Sequence, residues 1–286
     1  MLLSYQVDLI IGFSFLISLA AGYFFVPAKL KTEFSYKKLR KSQISKLLPY
    51  ASLAAFIFAL MNFQTKLSNL LRLDPSQNYN QYLLRLEGNK VSYFQNLETP
   101  LLTYFCAGIY LLGFSFLLIF TFVIFLCKSN KETLKEYAAA FTCIYLAAYP
   151  FYIFFPVEVT GHVLPEMSPL LYQLNPFIVQ LVTICDPGLN NCFPSLHAAL
   201  SVMATLFIIL KTELKSYKVF ALLITLSIQF AILYLGIHWI TDLLAGNLLA
   251  FIVYFLVTRS SGLKNKKEGK IRHLRYKNED FDIYLR

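Results

Sequence analysis

The stretch CFPSLHAAL, residues 192–200, places a proline, a serine and a histidine at the start of an apolar run. A second histidine, His238, stands at the start of another apolar run in YLGIHWITDLLAG, residues 234–246. An ionisable side chain at membrane depth is costly, and it usually faces an interior cavity and serves a function. The two stretches therefore predict a bundle of apolar helices in which His197 and His238 meet at one end.

The amino-acid composition is that of an integral membrane protein. Hydrophobic residues make up 57% of the 286 residues and charged residues 15%, whereas a soluble domain has about 25% charged residues. Apolar runs that approach or exceed the roughly 17 to 25 residues of a membrane-spanning helix cover residues 9–26, 47–63, 101–127, 137–157, 194–210, 219–235 and 238–257. The sequence therefore predicts an all-α, polytopic membrane helical bundle with about seven transmembrane helices.

The distribution of charge predicts the orientation of the bundle. With seven alternating spans, 22 of the 26 Lys and Arg residues fall on one side of the membrane. The positive-inside rule makes that side cytoplasmic, and both histidines then lie on the extracytoplasmic face. The net charge of +10 faces the anionic head groups of the lipid bilayer, which argues against a nucleic-acid partner.

The chain divides into a bundle and a tail. Residues 1–258 form the predicted bundle, with a motif-bearing core at about residues 99–257, and residues 259–286 form a basic cytoplasmic tail. Between two spans, residues 65–98 mix apolar and polar side chains. This outer loop is predicted to contain an interfacial helix or hairpin that lies on the bilayer.

Both histidines are predicted to lie at helix N-termini. Pro194 suits the first turn of a helix, where its missing N–H would have had no partner, and Asn190 or Asn191 could cap the same helix. Gly236 lets the chain turn before the second helix. Because unpaired amides and the helix dipole attract anions, a phosphate group is expected between the two helix ends.

The neighbours of the histidines suit phosphoryl transfer. Asp242 follows His238 by four residues, so both lie on one helix face. A carboxylate in this position accepts a hydrogen bond from one imidazole nitrogen and leaves the other nitrogen to attack. Ser195 offers a hydroxyl group to a phosphate oxygen, and His197 could protonate a leaving alkoxide.

These residues resemble a known family. FPSLHA and YLGIHWITDLLAG look like the second and third motifs of the type 2 phosphatidic acid phosphatase superfamily, usually P-S-G-H and S-R-x5-H-x3-D. The leucine of P-S-L-H is more like the branch that contains inositol phosphorylceramide synthase and related lipid phosphotransferases. The resemblance implies a six-helix core with an extra N-terminal helix, and an enzyme that needs neither metal nor cofactor.

The resemblance also implies a reaction and a role for each residue. The substrate would be a phosphate-bearing lipid, cleaved by a lipid phosphatase or phosphotransferase at the outer face. His238 would be the nucleophile that forms a phosphohistidine, Asp242 would orient it, and His197 would be the general acid. An inositolphosphotransferase-like transfer of a phospho-head group to an acceptor lipid alcohol is the alternative reaction.

The sequence differs from the superfamily at the positions of the arginines that bind phosphate. Ile232 stands six residues before His238, where the superfamily has an arginine. The stretch FFPVEVTGH, residues 154–162, resembles the FP…PPR stretch of the P-S-L-H branch but also has no arginine. Other groups are therefore expected to bind the phosphate. The candidates are the helix amides, Ser195, His162, Arg72 and Arg85.

Two other interpretations use the same residues. Two histidines and Asp242 could ligate a metal, because His-x3-Asp on a helix is acceptable ligand spacing. A non-catalytic protein or a transporter could bind a lipid head group in the same pocket.

A pair of cysteines flanks an outer loop. Cys185 and Cys192 enclose CDPGLNNC, in which proline, glycine and asparagine favour a turn. A disulfide between them is plausible on an oxidising face. Two free thiols are the alternative, because sequence spacing alone does not show that the geometry permits a bridge.

Overall fold

The computed structural model describes residues 41–71, 78–127, 131–186 and 188–283. Within this part of the chain the regular structure is helical, apart from one isolated β-bridge between Val157 and Asn191. The helices are α1 Lys41–Leu70, α2 Asn80–Glu87, α3 Pro100–Gly108, α4 Phe114–Cys127, α5 Lys131–Phe154, α6 Thr160–Val163, α7 Leu170–Leu174, α8 Pro176–Cys185, α9 Leu196–Lys211, α10 Lys215–Tyr234 and α11 Ile240–Ile283. A 3-10 helix, Lys90–Leu97, follows α2, and a π-helical turn, Ile109–Gly113, joins α3 to α4.

Six of the seven predicted membrane-spanning runs lie on these helices. Among the described residues, four helical segments are long and apolar enough to cross a membrane, namely Pro100–Leu126, Lys131–Phe154, Lys215–Tyr234 and Ile240–Leu263. Leu48–Met61 and Leu196–Lys211 are shorter apolar helices. The predicted all-helical membrane fold is confirmed. The count of seven spans stays a prediction, since the first run, residues 9–26, lies outside the described residues.

Helix α9 lies at the centre of the bundle. It packs against α4, α5, α10 and α11, and residues on all its sides are fully buried, among them Ala199, Leu200 and Phe207. A helix that is apolar all round is stable only when it is surrounded. The small residues Ala198 and Ala204 also let neighbouring helices approach closely, as is usual in membrane bundles.

A glycine brings the N-terminus of α11 against the N-terminus of α9. A Cβ atom added at Gly246 would lie 2.4 Å from the Ser195 carbonyl O, a distance that no side chain tolerates. The backbone N–H of Ser195 donates to the Asp242 carbonyl O at 3.1 Å. The two stretches that carry the histidines are therefore in direct contact at one end of the bundle, which we call the histidine end.

Helix α9 shows that two local predictions were wrong. Its N-cap is Ser195, whose Oγ accepts a hydrogen bond from the Ala198 N–H at 3.3 Å. Pro194 therefore precedes the helix instead of occupying its first turn, and neither predicted asparagine caps it. Asn191 instead exchanges side-chain hydrogen bonds with Gln64 of α1, at 2.7 and 3.2 Å.

The other helix ends agree better with the sequence. Helix α5 continues through Pro150 and ends at Phe154, before Pro156, so the second proline marks its end. Gly236 has a φ of +75° and forms the turn before α11. The basic segment predicted as a tail is helical as far as Ile283, because α11 extends through it.

The predicted outer loop, residues 65–98, begins later than predicted, because α1 continues to Leu70, and it contains the short helix α2. The position of this helix on the bilayer stays a prediction. In α2, Asn80, Leu83 and Glu87 are buried, whereas Tyr82 and Leu86 are 64% and 71% exposed. Apart from Leu83, the apolar residues thus face outward, and the other two buried residues are polar. This arrangement suits a helix that has the bilayer on one side and a polar part of the protein on the other.

Candidate active site

The two histidines of the motifs meet at the histidine end. The imidazole centroids of His197 and His238 lie 5.8 Å apart. His197 is the second residue of α9, and His238 lies in the short turn that joins α10 to α11. The prediction that the bundle brings them together is confirmed, although forty-one residues separate them in the sequence.

Asp242 contacts His238 as predicted, but His238 lies in the turn before α11 and not on the predicted helix face. The Nδ1 atom of His238 lies 3.3 Å from Asp242 Oδ2, and both side chains are buried. The same Oδ2 accepts the Trp239 backbone N–H at 2.9 Å, so an N-terminal amide of α11 fixes the carboxylate. His238 precedes the last span, and burial lowers the pKa of its imidazole to about 3. The histidine is therefore neutral at pH 7.

His197 is held by aromatic rings that the sequence did not single out. Its ring centroid lies 4.5 Å from that of Tyr110 and 4.6 Å from that of Phe114. Tyr110 belongs to the π-helical turn, and single π turns inside α-helices are frequent at functional sites. Since a π turn leaves no clear pattern in an apolar run, the sequence offered no signal for this contact.

Several amides at the two helix ends already donate to acceptors within the protein. Ser195 is buried, and its hydroxyl accepts the Ala198 N–H of α9. At α11, the Ile240 and Thr241 N–H groups donate to the carboxylate of Glu87, at 3.0 and 2.7 Å. The prediction of unpaired amides is therefore wrong for Ala198, Ile240 and Thr241. Phosphate binding by Ser195 stays a prediction.

The structure describes two of the other predicted phosphate ligands, and both are exposed. His162 is exposed, and its ring contacts that of Tyr172 at a centroid distance of 5.3 Å. Arg85 is exposed in the last turn of α2, and Arg72 lies outside the described residues. Ile232 is fully buried, and its carbonyl O accepts the Ile237 and His238 N–H groups, both at 3.1 Å. It shapes the turn before α11 in place of the family's arginine.

The predicted disulfide is not formed. Cys192 is a free, buried cysteine whose thiol donates to the Ile237 carbonyl O at 3.3 Å. The side chain of Cys185 lies outside the described residues. The alternative of free thiols therefore holds for Cys192. Its hydrogen bond to Ile237 connects the loop that contains Cys192 to the turn before His238.

One group of side chains near the site has the chemistry to hold a metal ion. Ligand atoms of Cys192, His238 and Asp242 lie within 4.8 Å of one another. The thiolate, imidazole and carboxylate donors would suit a zinc ion. This set differs from the predicted one, since Cys192 replaces His197. In this structure the thiol and Nδ1 instead contact Ile237 and Asp242.

Comparison with known proteins identifies the family. Residues 90–256 match the family model described as the PAP2 superfamily, which is more than half of the chain. The chain belongs to the PAP2 superfamily. The resemblance stated from the two motifs is thus confirmed, whereas membership of the P-S-L-H branch stays a prediction. For a PAP2 superfamily protein, a membrane lipid phosphatase is the activity that the match supports.

Among solved structures, the PAP2 superfamily chain is similar to the crystal structure of Aquifex aeolicus LpxE. The identity is 21%, the TM-score is 0.48, and the match covers 60% of this chain and 93% of that one. No curated protein matches the sequence.

Proposed function

We propose that this protein cleaves a lipid phosphoester by way of a phosphohistidine on His238, without a metal ion, at the extracytoplasmic face of the cell membrane. The observation that carries the proposal is the buried contact between His238 and Asp242, with the His197 ring 5.8 Å from that of His238. The PAP2 superfamily membership supports the same class of reaction.

In the proposed reaction each of the three side chains has one role. With its proton on Nδ1, His238 donates to Asp242 Oδ2, and the lone pair of Nε2 is free to attack phosphorus. A new N–P bond forms while the bond from phosphorus to the lipid oxygen breaks. His197, protonated, gives its proton to the departing oxygen and becomes neutral. Asp242 stabilises the positive charge that develops on His238.

The second half of the reaction reverses these roles. A water molecule attacks the phosphohistidine, and neutral His197 removes its proton as a general base. The N–P bond breaks, inorganic phosphate leaves, and His238 is neutral again. An acceptor alcohol in place of water would make the enzyme a phosphotransferase, which the P-S-L-H stretch favours as the second candidate function.

Product analysis tests the proposal and separates the two functions. The purified protein is incubated with phosphatidic acid and other phosphate-bearing lipids, with and without inositol and other alcohols, and the lipids are analysed by mass spectrometry. Release of phosphate with formation of the lipid alcohol supports hydrolysis. A new phosphorylated alcohol or head group supports transfer. Binding of the lipids without any product supports the non-catalytic alternative.

Metal independence gives a separate expected result. The protein should keep its full rate after extensive dialysis against EDTA, because the attacking group is an imidazole and not a metal-bound water. Cys192→Ala, which removes one donor of the possible metal set, should likewise retain activity. A loss of rate in EDTA that zinc restores, together with an inactive Cys192→Ala variant, would instead assign catalysis to a metal centre.

The orientation of the site can be measured by cysteine labelling. Asn89 follows α2, Ser216 lies in the first turn of α10, and both are exposed. In intact cells, an impermeant thiol reagent should label Asn89→Cys above the level of the parent protein. It should label Ser216→Cys only after the membrane is opened, because the basic end is expected to be cytoplasmic. The opposite pattern would reverse the orientation of the bundle.

A further inference from the structure

Glu87 is a buried carboxylate that contacts the helix carrying Asp242. It is the last residue of α2 and is 7% exposed. Its Oε1 accepts the Ile240 N–H at 3.0 Å, and its Oε2 accepts the Thr241 N–H at 2.7 Å and the Thr241 hydroxyl at 2.6 Å. A buried carboxylate is costly unless it is hydrogen-bonded. These three bonds to one helix turn satisfy that need.

Two carboxylates together hold the first turn of α11. Asp242 reaches back to the Trp239 N–H, as the acidic residue of a capping box does. Glu87 takes the next two amides, from a position more than 150 residues earlier in the chain. Bonds from amides to a carboxylate are charge-assisted and stronger than neutral ones. The two negative charges also interact favourably with the positive, N-terminal end of the α11 dipole.

The other end of α2 is fixed to the same region. The Asn80 side chain donates to Glu158 Oε1 at 3.1 Å and accepts the Glu158 N–H at 2.9 Å. The carbonyl O of Glu158 accepts the Trp239 indole N–H at 3.0 Å. The N-terminal end of α2 is therefore linked to Trp239, the residue after His238, by way of Glu158, whereas its C-terminal end bonds α11 directly through Glu87.

We propose that Glu87 is a positioning residue for the pair formed by His238 and Asp242. This inference rests on the proposed function. Glu87 keeps the first turn of α11 in place, and that turn holds Asp242 Oδ2 against His238 Nδ1. Because a misplacement of about 1 Å at a reacting group costs about 100-fold in rate, the effect of Glu87 should be on the chemical step. No proton passes through it.

A competing explanation makes a different kinetic prediction. If Glu87 occupies a helix end that phosphate must enter, removal of its charge should lower KM for the lipid phosphate. If Glu87 positions His238 and Asp242, its removal should lower kcat and leave KM unchanged. The sign of the change in KM therefore separates the two roles.

The experiment compares Glu87→Ala, Glu87→Gln and the control Glu98→Ala in the full-length protein in lipid–detergent micelles, with phosphatidic acid as substrate. Glu98 is exposed in the same outer loop. We expect kcat to fall about 100-fold in Glu87→Ala and about tenfold in Glu87→Gln, whose amide oxygen still accepts one bond. Glu98→Ala should match the parent. Parental kcat in Glu87→Ala, or a lower KM, would overturn the proposal.

A double-mutant cycle distinguishes positioning from general loss of structure. In the Asp242→Asn variant, the further change Glu87→Gln should lower kcat only slightly, because both residues act on the pair formed by His238 and Asp242. If the two substitutions lowered kcat independently, so that the double variant showed the product of the two single losses, the proposal would be contradicted. This comparison needs only Gln and Asn variants, which preserve shape, so it remains available if Glu87→Ala does not fold.

A last measurement does not depend on activity. Hydrogen exchange of a peptide that covers residues 238–243 should be faster in Glu87→Ala than in the parent or in Glu98→Ala, because two amides lose their acceptor. Unchanged exchange would overturn the positioning role even in an active enzyme. Near-parental turnover by His238→Ala would instead refute the proposed function, while the exchange data would still test the contact.

Discussion

His238→Ala is expected to lose all measurable turnover of lipid phosphate. Removal of the nucleophile abolishes the covalent step, so the rate should fall by about 10⁶-fold. Asp242→Asn should retain a trace, about 10⁴-fold below the parent, since an orienting carboxylate that becomes an amide stabilises the wrong tautomer. Initial rates of phosphate release from phosphatidic acid measure both effects.

A phosphoenzyme gives the direct test of this mechanism. Rapid acid-free quenching during turnover should trap phosphate on His238 in the parent protein and none in His238→Ala. His273→Ala is the matched control, because this histidine lies about 50 Å further along α11 at 1.5 Å per residue. Turnover by His238→Ala at near the parental rate would remove the phosphohistidine mechanism.

His197→Ala is expected to show a loss that depends on the leaving group. With a lipid alkoxide as leaving group the rate should fall by about 10²- to 10⁴-fold, because the departing oxygen needs a proton. With an aryl phosphate, whose leaving group is far less basic, much of the rate should return. The ratio of kcat/KM for phosphatidic acid and for p-nitrophenyl phosphate measures this difference.

The comparison with other variants makes the role of His197 specific. Asp242→Asn should lower both rates together, because it affects the nucleophile and not the leaving group. An equal loss on both substrates in His197→Ala would contradict the general-acid role. It would then favour a role in which His197 only packs between Tyr110 and His238, as its ring contacts also allow.

The local pattern of the sequence predicted much of the site. Apolar runs long enough to span a membrane predicted the helices, because burial in lipid requires that backbone groups be satisfied within the helix. The contact between His238 and Asp242 was predicted from their spacing of four residues on one helix face, although His238 lies in the turn just before α11. The motif pair predicted the superfamily that the match to residues 90–256 confirms.

Predictions that depended on unseen partners were less successful. Asn190 and Asn191 have good capping side chains, yet Ser195 caps α9, because propensity does not tell which of several candidates lies at the right dihedral angles. Cys192 lay at a plausible distance along the chain for a disulfide. Its thiol instead donates to the Ile237 carbonyl O, in a segment that only the folded bundle brings close.

The sequence by itself thus determined the helical membrane class, the superfamily, and the pairing of His238 with Asp242, because each depends on residues close together in the chain. Only the tertiary structure placed the His197 ring against Tyr110 and the Glu87 carboxylate on the amides of Ile240 and Thr241. These contacts join segments that are far apart in sequence. They form only because the helices pack closely, as α9 and α11 do at Gly246. The distance between two helices is not encoded in any local periodicity of the sequence.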